Sequence, residues 1–161
     1  MEVTFKQVEI GEKPILKQLL QLYIHDFSEY IDTDVGADGL YSYKYLDSYW
    51  EEDERHSFFV LADGNYAGFI MINQDLKIGR TGYCISEFFI MRKYRNLGIG
   101  SLAARYAFNL FKGPWEVSMI TINEPSTLFW HKVIDQYTEG QFQSISIEIK
   151  DLKRIILTFQ T

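Results

Sequence analysis

An apolar stretch, Ile85 to Met91, runs into Arg92-Lys93-Tyr94-Arg95-Asn96-Leu97-Gly98-Ile99-Gly100-Ser101 and then into a helix-periodic segment. This strand, glycine loop and helix start constrain the chain more than any other segment. Arg-x-x-Gly-x-Gly at a helix start makes an anion cradle. The glycines let a diphosphate approach the backbone without a Cβ in the way. N–H groups of the first helical turn have no intrahelical acceptor, and the positive end of the helix dipole adds attraction. Arg95 is suited to a charge-assisted contact with phosphate.

The remaining pattern alternates strands and helices. Val3 to Val8 reads as a strand. Lys13 to Phe27 carries apolar residues at 15, 16, 19, 20, 23, 24 and 27, which is helical spacing. Gly36-Ala37-Asp38-Gly39 is a break, and Tyr41 to Tyr49 predicts a second helix or a pair of turns. Ser57 to Ala62 and Tyr66 to Asn73 are strands joined through Asp63-Gly64-Asn65, a hairpin signal. Gly82 to Met91 is apolar on both faces, which predicts a central strand. Ile99 to Phe111 is an amphipathic helix stopped by Gly113-Pro114. Trp115 to Ile122 reads as a strand, and Ser126 to Ile134 as a helix with Pro125 at its start. Gln141 to Glu148 and Arg154 to Gln160 close the chain as an antiparallel pair. The expectation is one α/β domain over residues 1–161, long enough for a sizeable core.

Three phosphate-binding readings compete for the glycine loop. A P-loop needs Gly-Lys-Ser/Thr, whereas Gly100 is followed by Ser101-Leu102. Gly98-Ile99-Gly100-Ser101-Leu102-Ala103 fits the dinucleotide fingerprint G-x-G-x-x-A, with Glu124 as its acid. Against it, Arg92 to Leu97 separate the glycines from their strand, and no further crossover units follow Asn123. The third reading is a coenzyme A site.

That reading rests on a resemblance. Phe88-Phe89-Ile90-Met91-Arg92-Lys93-Tyr94-Arg95-Asn96-Leu97-Gly98-Ile99-Gly100 is similar to the motif of the GCN5-related N-acetyltransferases. A looser similarity covers Asn123-Glu124-Pro125-Ser126-Thr127-Leu128-Phe129-Trp130-His131-Lys132. The resemblance implies a mostly antiparallel, splayed sheet of six or seven strands with about four helices. It implies acetyl-CoA as cosubstrate, a primary amine as acceptor and direct attack in a ternary complex. The backbone of Phe88, Phe89 and Ile90 would bind pantetheine and polarise the thioester. The backbone of Arg95, Asn96, Leu97, Gly98, Ile99, Gly100 and Ser101 would hold the pyrophosphate. Asn123 would contact the coenzyme A arm, and Trp130 would pack against the cofactor. Homodimers are common in the family, which makes a second copy a candidate partner. An acyl-CoA-binding or regulatory module without catalysis is the alternative.

Amine acetylation needs a proton acceptor for the amine. Glu87 is the odd residue in its strand, a carboxylate amid apolar neighbours, and burial raises a carboxyl pKa toward the range of a useful base. A structural Glu paired with arginine or tyrosine is the competing role. Trp130 stands where many members of the family carry a tyrosine that protonates the departing thiolate. An indole N–H only donates a hydrogen bond, so another group serves or no acid is needed. His131 and Tyr137 are near in sequence, but His131 lies roughly 100° around the helix from Trp130. Asn123 is also a favoured N-cap. Cys84 reads as a small buried residue.

Charge bounds the ligand. The net charge is −6, and residues 26–54 hold ten acids and one base, Lys44. Phe27, Tyr30, Tyr41, Tyr43, Tyr45, Tyr49 and Trp50 share that segment. It reads either as a solvated face anchored by aromatics or as a rim for a small cationic acceptor such as a polyamine or aminoglycoside. An acidic chain without a basic stripe argues against nucleic acid. No apolar run has membrane-spanning length, no secretion signal opens the chain, and one cysteine excludes an internal disulfide; a cytoplasmic location is the default expectation. His25, Asp26, Asp32 and Asp34 fit no metal-ligand spacing, so no metal is expected.

Overall fold

The computed structural model describes residues 1–161. Seven strands, β1 (Val3–Gln7), β2 (His56–Ala62), β3 (Asn65–Asn73), β4 (Tyr83–Ile90), β5 (Pro114–Ile120), β6 (Phe142–Ile149) and β7 (Leu152–Gln160), form one sheet. Its order is β1-β2-β3-β4-β5-β7-β6. Every neighbouring pair is antiparallel except β4 and β5, which run parallel. A parallel pair needs a crossover, and helix α3 (Ile99–Leu110) supplies it. β4 is central, as its two apolar faces predict.

The helices divide between the faces. α3 and α4 (Glu124–Thr138) cover one. Ile99, Ala103, Ala104, Ala107 and Phe108 of α3 meet Trp130, Val133 and Ile134 of α4 over Ile85, Ile90, Trp115, Val117 and Leu157. Small residues along α3 let it lie close to the sheet. α1 (Lys13–Phe27) and the short α2 (Ser48–Glu51) cover the other face, with Leu16, Leu19, Leu20 and Tyr49 on Phe59, Phe69, Met71 and Phe89.

Two expected elements differ in extent. Of Tyr41 to Tyr49, only the last two residues enter a helix, Ser48–Glu51. The reason lies at Gln21: its amide receives the Tyr41 N–H at 2.7 Å and donates to the Tyr41 carbonyl at 2.9 Å. That pairing holds Tyr41 as a strand neighbour would and leaves turns after it. The last helix is longer than Ser126 to Ile134. It starts at Glu124 and ends at Thr138, where Glu139 and Gly140 turn left-handed and the Gly140 N–H reaches the Asp135 carbonyl.

Glu116 on β5 is buried, and its carboxylate accepts the N–H groups of Lys77, Ile78 and Gly79. It anchors the loop between β3 and β4. Glu116→Ala leaves three amides without an acceptor, each worth ~1–3 kcal/mol if it stays dry. The expected result is a loss of ~3 kcal/mol in urea unfolding; an unchanged midpoint would show that water replaces the carboxylate.

Candidate active site

Strand register places the carboxylate. Met71 pairs with Glu87 and Ile72 with Ile85, so Ser86 is surplus and β4 bulges there. A bulge turns two successive side chains to one side and bends its strand. Ser86 and Glu87 therefore both face α1 and α2. The Ser86 and Tyr49 hydroxyls lie 2.6 Å apart. Tyr23 donates to Glu87 Oε2 at 2.6 Å and Tyr43 donates to Oε1 at 3.1 Å. Burial pushes the Glu87 carboxyl above its ordinary value; the two hydroxyls, and the charges of Lys77 and Arg154, oppose the rise. Burial and the adjacent carboxylate push the Tyr23 hydroxyl well up, and Tyr43 follows for the same reasons. Both stay protonated donors through the neutral range.

β4 and β5 pair only at Tyr83–Trp115 and Cys84–Glu116. Beyond those pairs the strands part, and Ile85 to Ile90 keep a free edge toward β5. Backbone groups along a strand alternate between its two edges. The Phe89 carbonyl points at β3, where it crowds Gly68. Phe88 and Ile90 therefore present their backbone to the opening and Phe89 does not, which corrects the expectation for that residue. The Ile90 carbonyl is also occupied, because it accepts Arg95 Nε at 2.8 Å. The Phe88 side chain packs on Phe129 and Trp130, with centroids 5.6 and 4.8 Å away. Phe89 packs on Tyr23 and Phe69 on the other face.

The loop after β4 ends in a run of free donors. Tyr94 and Arg95 donate their N–H groups to the Met91 and Arg92 carbonyls, and Leu102 donates to Gly98. Between them, the N–H groups of Asn96, Leu97, Gly98, Ile99, Gly100 and Ser101 meet no protein acceptor. Asn96 (φ 61°) and Gly98 (φ 81°) are left-handed, a geometry that lets successive amides converge on an anion. Gly100 has a different reason: a Cβ there would lie 3.1 Å from the Phe129 ring. This donor run fits a pyrophosphate.

Arg95 departs from its expected role. Its guanidinium donates to Ile90 O and, at 2.6 Å, to Asp26 Oδ2, while Arg92 takes Oδ1 at 2.7 Å. Burial alone would raise the Asp26 carboxyl, but the two arginines hold it below the usual range. Arg95 thus ties α1 to the loop, and the donor run begins at Asn96 instead. The signal was a carboxylate 69 residues away, invisible to a local motif.

Asn123 caps α4, accepting the Ser126 N–H at 3.1 Å and leaving its amide nitrogen without a partner. Asn123→Ala removes the cap and should cost ~1 kcal/mol, read as a thermal midpoint lower by about 2–4 °C; no shift would mean a water replaces it. Trp130, 4 % exposed, lies among Phe88, Phe108 and Phe129. His131 packs on Phe142 of β6, and Tyr137 donates to Asn109 of α3, so neither faces the opening. Cys84 donates to Asn73 Oδ1, and burial pushes its thiol up to about 11, which makes it a poor nucleophile.

The sequence reading placed Tyr43 only on the aromatic rim and Tyr23 only in the core, and did not show that these two tyrosines meet Glu87. Tyr23 counts as one more apolar position on α1, and only its hydroxyl distinguishes it. Among the acids of residues 26–54, Asp26, Asp47 and Glu52 pair with arginine or lysine. No three His, Cys, Asp or Glu groups come together as metal ligands, and no helix is long and apolar enough to cross a membrane.

These features have counterparts among known proteins. No curated protein sequence is significantly similar to the chain. Solved structures are similar in fold. An acetyltransferase from Thermus thermophilus superposes with a TM-score of 0.68 at 12 % identity, over 100 % of this chain and 98 % of its own. The PaiA N-acetyltransferase of Thermoplasma acidophilum, solved with coenzyme A, gives 0.65 at 13 %, with both chains covered completely. The ribosomal-protein-S18-alanine N-acetyltransferase of Escherichia coli gives 0.64 at 10 %, over 99 % and 94 %. The profile of the acetyltransferase (GNAT) family matches residues 16–134. The match runs from the first turn of α1 through most of α4, takes in both Glu87 and the donor run, and makes this chain a member of the GNAT acetyltransferase family.

Proposed function

We propose that the chain moves the acetyl group of acetyl-CoA to the primary amine of a small molecule, by direct attack in a ternary complex. One observation carries the proposal. A strand edge left free by its neighbour leads from a desolvated carboxylate, Glu87, to six unpartnered amides at a helix start.

Each part has a task in this reading. Asn96 to Ser101 hold the pyrophosphate with their N–H groups. The Phe88 carbonyl and N–H and the Ile90 N–H pair with the pantetheine amides and hold the thioester. Acetyl-CoA supplies the activated acyl carbon. Glu87 takes a proton from the arriving ammonium, directly or through one water, while Tyr23 and Tyr43 fix its orientation. The amine nitrogen then bonds to the acyl carbon and the carbon–sulfur bond breaks. The thiolate leaves, and one proton released from the amine returns to it. Glu29, Asp32 and Asp34 have no ion-pair partner in the chain and supply negative potential that draws a cationic amine. A single buried cysteine agrees with a cytoplasmic setting.

The test is thiol release from acetyl-CoA across a panel of small amines, beside calorimetry of acetyl-CoA alone. Binding together with amine-dependent release supports the proposal. Binding without release from any amine points to a coenzyme A-binding module, and absence of binding overturns both readings.

A further inference from the structure

Two buried side-chain polar atoms in the chain lack a hydrogen-bond partner: Ser118 Oγ on β5 and Arg154 Nε on β7. Buried polar groups are nearly always paired, so an orphan asks for an explanation. A half-buried guanidinium without a carboxylate is the costlier of the two. Arg154 takes part in none of the ion pairs.

The register brings the orphans together. Ser118 pairs with Ile156 and Ile120 with Arg154, so Ser118 and Arg154 are diagonal neighbours on one face. Trp115, Val117 and Met119 of β5 and Ile155, Leu157 and Phe159 of β7 pack toward α3 and α4. Alternation sends Ser118 and Arg154 to the opposite face. Glu87 faces that side as well, and it lies across the opening where β4 leaves β5. The two walls are electrically in touch, since the Arg154 charge favours the ionised Glu87. Lys77, exposed on the loop before β4, adds positive potential nearby.

We propose that Arg154 and Ser118 bind a carboxylate carried by the acceptor, so that the acceptor is an amino acid or a close relative whose amine reaches Glu87. A guanidinium offers parallel donors that match a carboxylate, and the serine hydroxyl adds one more. One half-buried positive charge suits a monoanion rather than a phosphate. The opening then carries a negative wall for the ammonium and a positive wall for the carboxylate, the charge pattern of a zwitterion. This excludes polyamines as preferred acceptors, although the acidic segment alone suggested them.

The inference rests on the acetyl-transfer reading, and the experiment separates the two. Thiol release is measured with each amino acid, with the amine that remains when its carboxylate is removed, and with phosphoethanolamine. The expected result is a kcat/KM at least tenfold higher for the best amino acid than for its decarboxylated amine. In R154M that preference is lost, a fall of at least tenfold, because the charge-assisted contact is gone. S118A lowers it by less, and R154K restores part of it. Melting curves check that the variants fold, and acetyl-CoA affinity is read by calorimetry. Equal rates with and without the carboxylate, or a preference for the phosphate, overturn the inference while leaving acetyl transfer standing. So does an R154M variant that slows both acceptors equally and shifts the acid limb of the pH profile, because Arg154 would then only tune Glu87. Acetyl-CoA binding without release from any acceptor overturns the acetyl-transfer reading and this inference with it.

Discussion

Glu87→Gln is expected to lower kcat on the order of 10²–10⁴-fold, the usual contribution of a positioned base, and to leave the affinity for acetyl-CoA unchanged. The amide keeps the shape of the carboxylate and can still meet the hydroxyls of Tyr23 and Tyr43. Its position on the face opposite Phe88 leaves the free strand edge and the donor run intact. The variant should also remain folded. A carboxyl raised by burial holds an extra proton in the folded state at pH values between the ordinary carboxylate pKa and its own. Its contribution is therefore most favourable below the ordinary value and is lost as pH rises through the raised one. At neutral pH the ionised Glu87 is a cost, and the neutral amide removes it. With Glu87 as the proposed base, the expected wild-type kcat/KM rises with pH along a limb above the ordinary carboxylate pKa of about 4.3, and Glu87→Gln should erase that limb. Turnover at the wild-type rate in the variant would assign the proton to another group.

Gly68→Ala should lower stability by ~3 kcal/mol, the upper end of what overpacking costs, or about 6–12 °C in Tm for a chain of this size. A Cβ at Gly68 would lie 1.9 Å from the Phe89 carbonyl oxygen and 3.1 Å from the Ile90 Cα. These are backbone atoms and cannot rotate away. The strand must shift, and it is the strand whose other edge faces the opening. Acetyl-CoA binding, read by calorimetry, should weaken along with stability. Gly64→Ala is the control: Gly64 is left-handed in its turn (φ 77°) but has open space around it, so only ~1–2 kcal/mol of backbone strain is expected. Equal effects from the two substitutions would show that β3 and β4 separate without cost.

Features set by local spacing were legible in the chain itself. The bounds of α1, Lys13 to Phe27, follow from its apolar period, and the centrality of β4 follows from its two apolar faces. The glycine loop announced its free amides because Gly98 and Gly100 sit at a helix start. Features set by distant partners were not legible. The Arg95 motif pointed to phosphate, but Asp26 and the Ile90 carbonyl claim the side chain. Tyr23 looked like an ordinary core position until its hydroxyl met Glu87 across 64 residues. Phe88, Phe89 and Ile90 are equivalent as letters, and only pairing with β3 decides which of them turns its backbone outward. Arg154 carries no motif at all; its significance comes from what it fails to meet.

Ser86 makes the count of β4 exceed that of β3 by one, two residues after the last rung that β4 shares with β5. A mismatch of that kind cannot be absorbed by a flat ladder, so β4 peels away and a seam opens. Deleting Ser86 would leave Ile85, Glu87 and Phe88 on their present sides, because a bulge preserves parity. It would also let the two strands zip shut. The room for a substrate in this molecule thus depends on one supernumerary amino acid, and a shortened chain could keep every side chain of the site while losing the space between them.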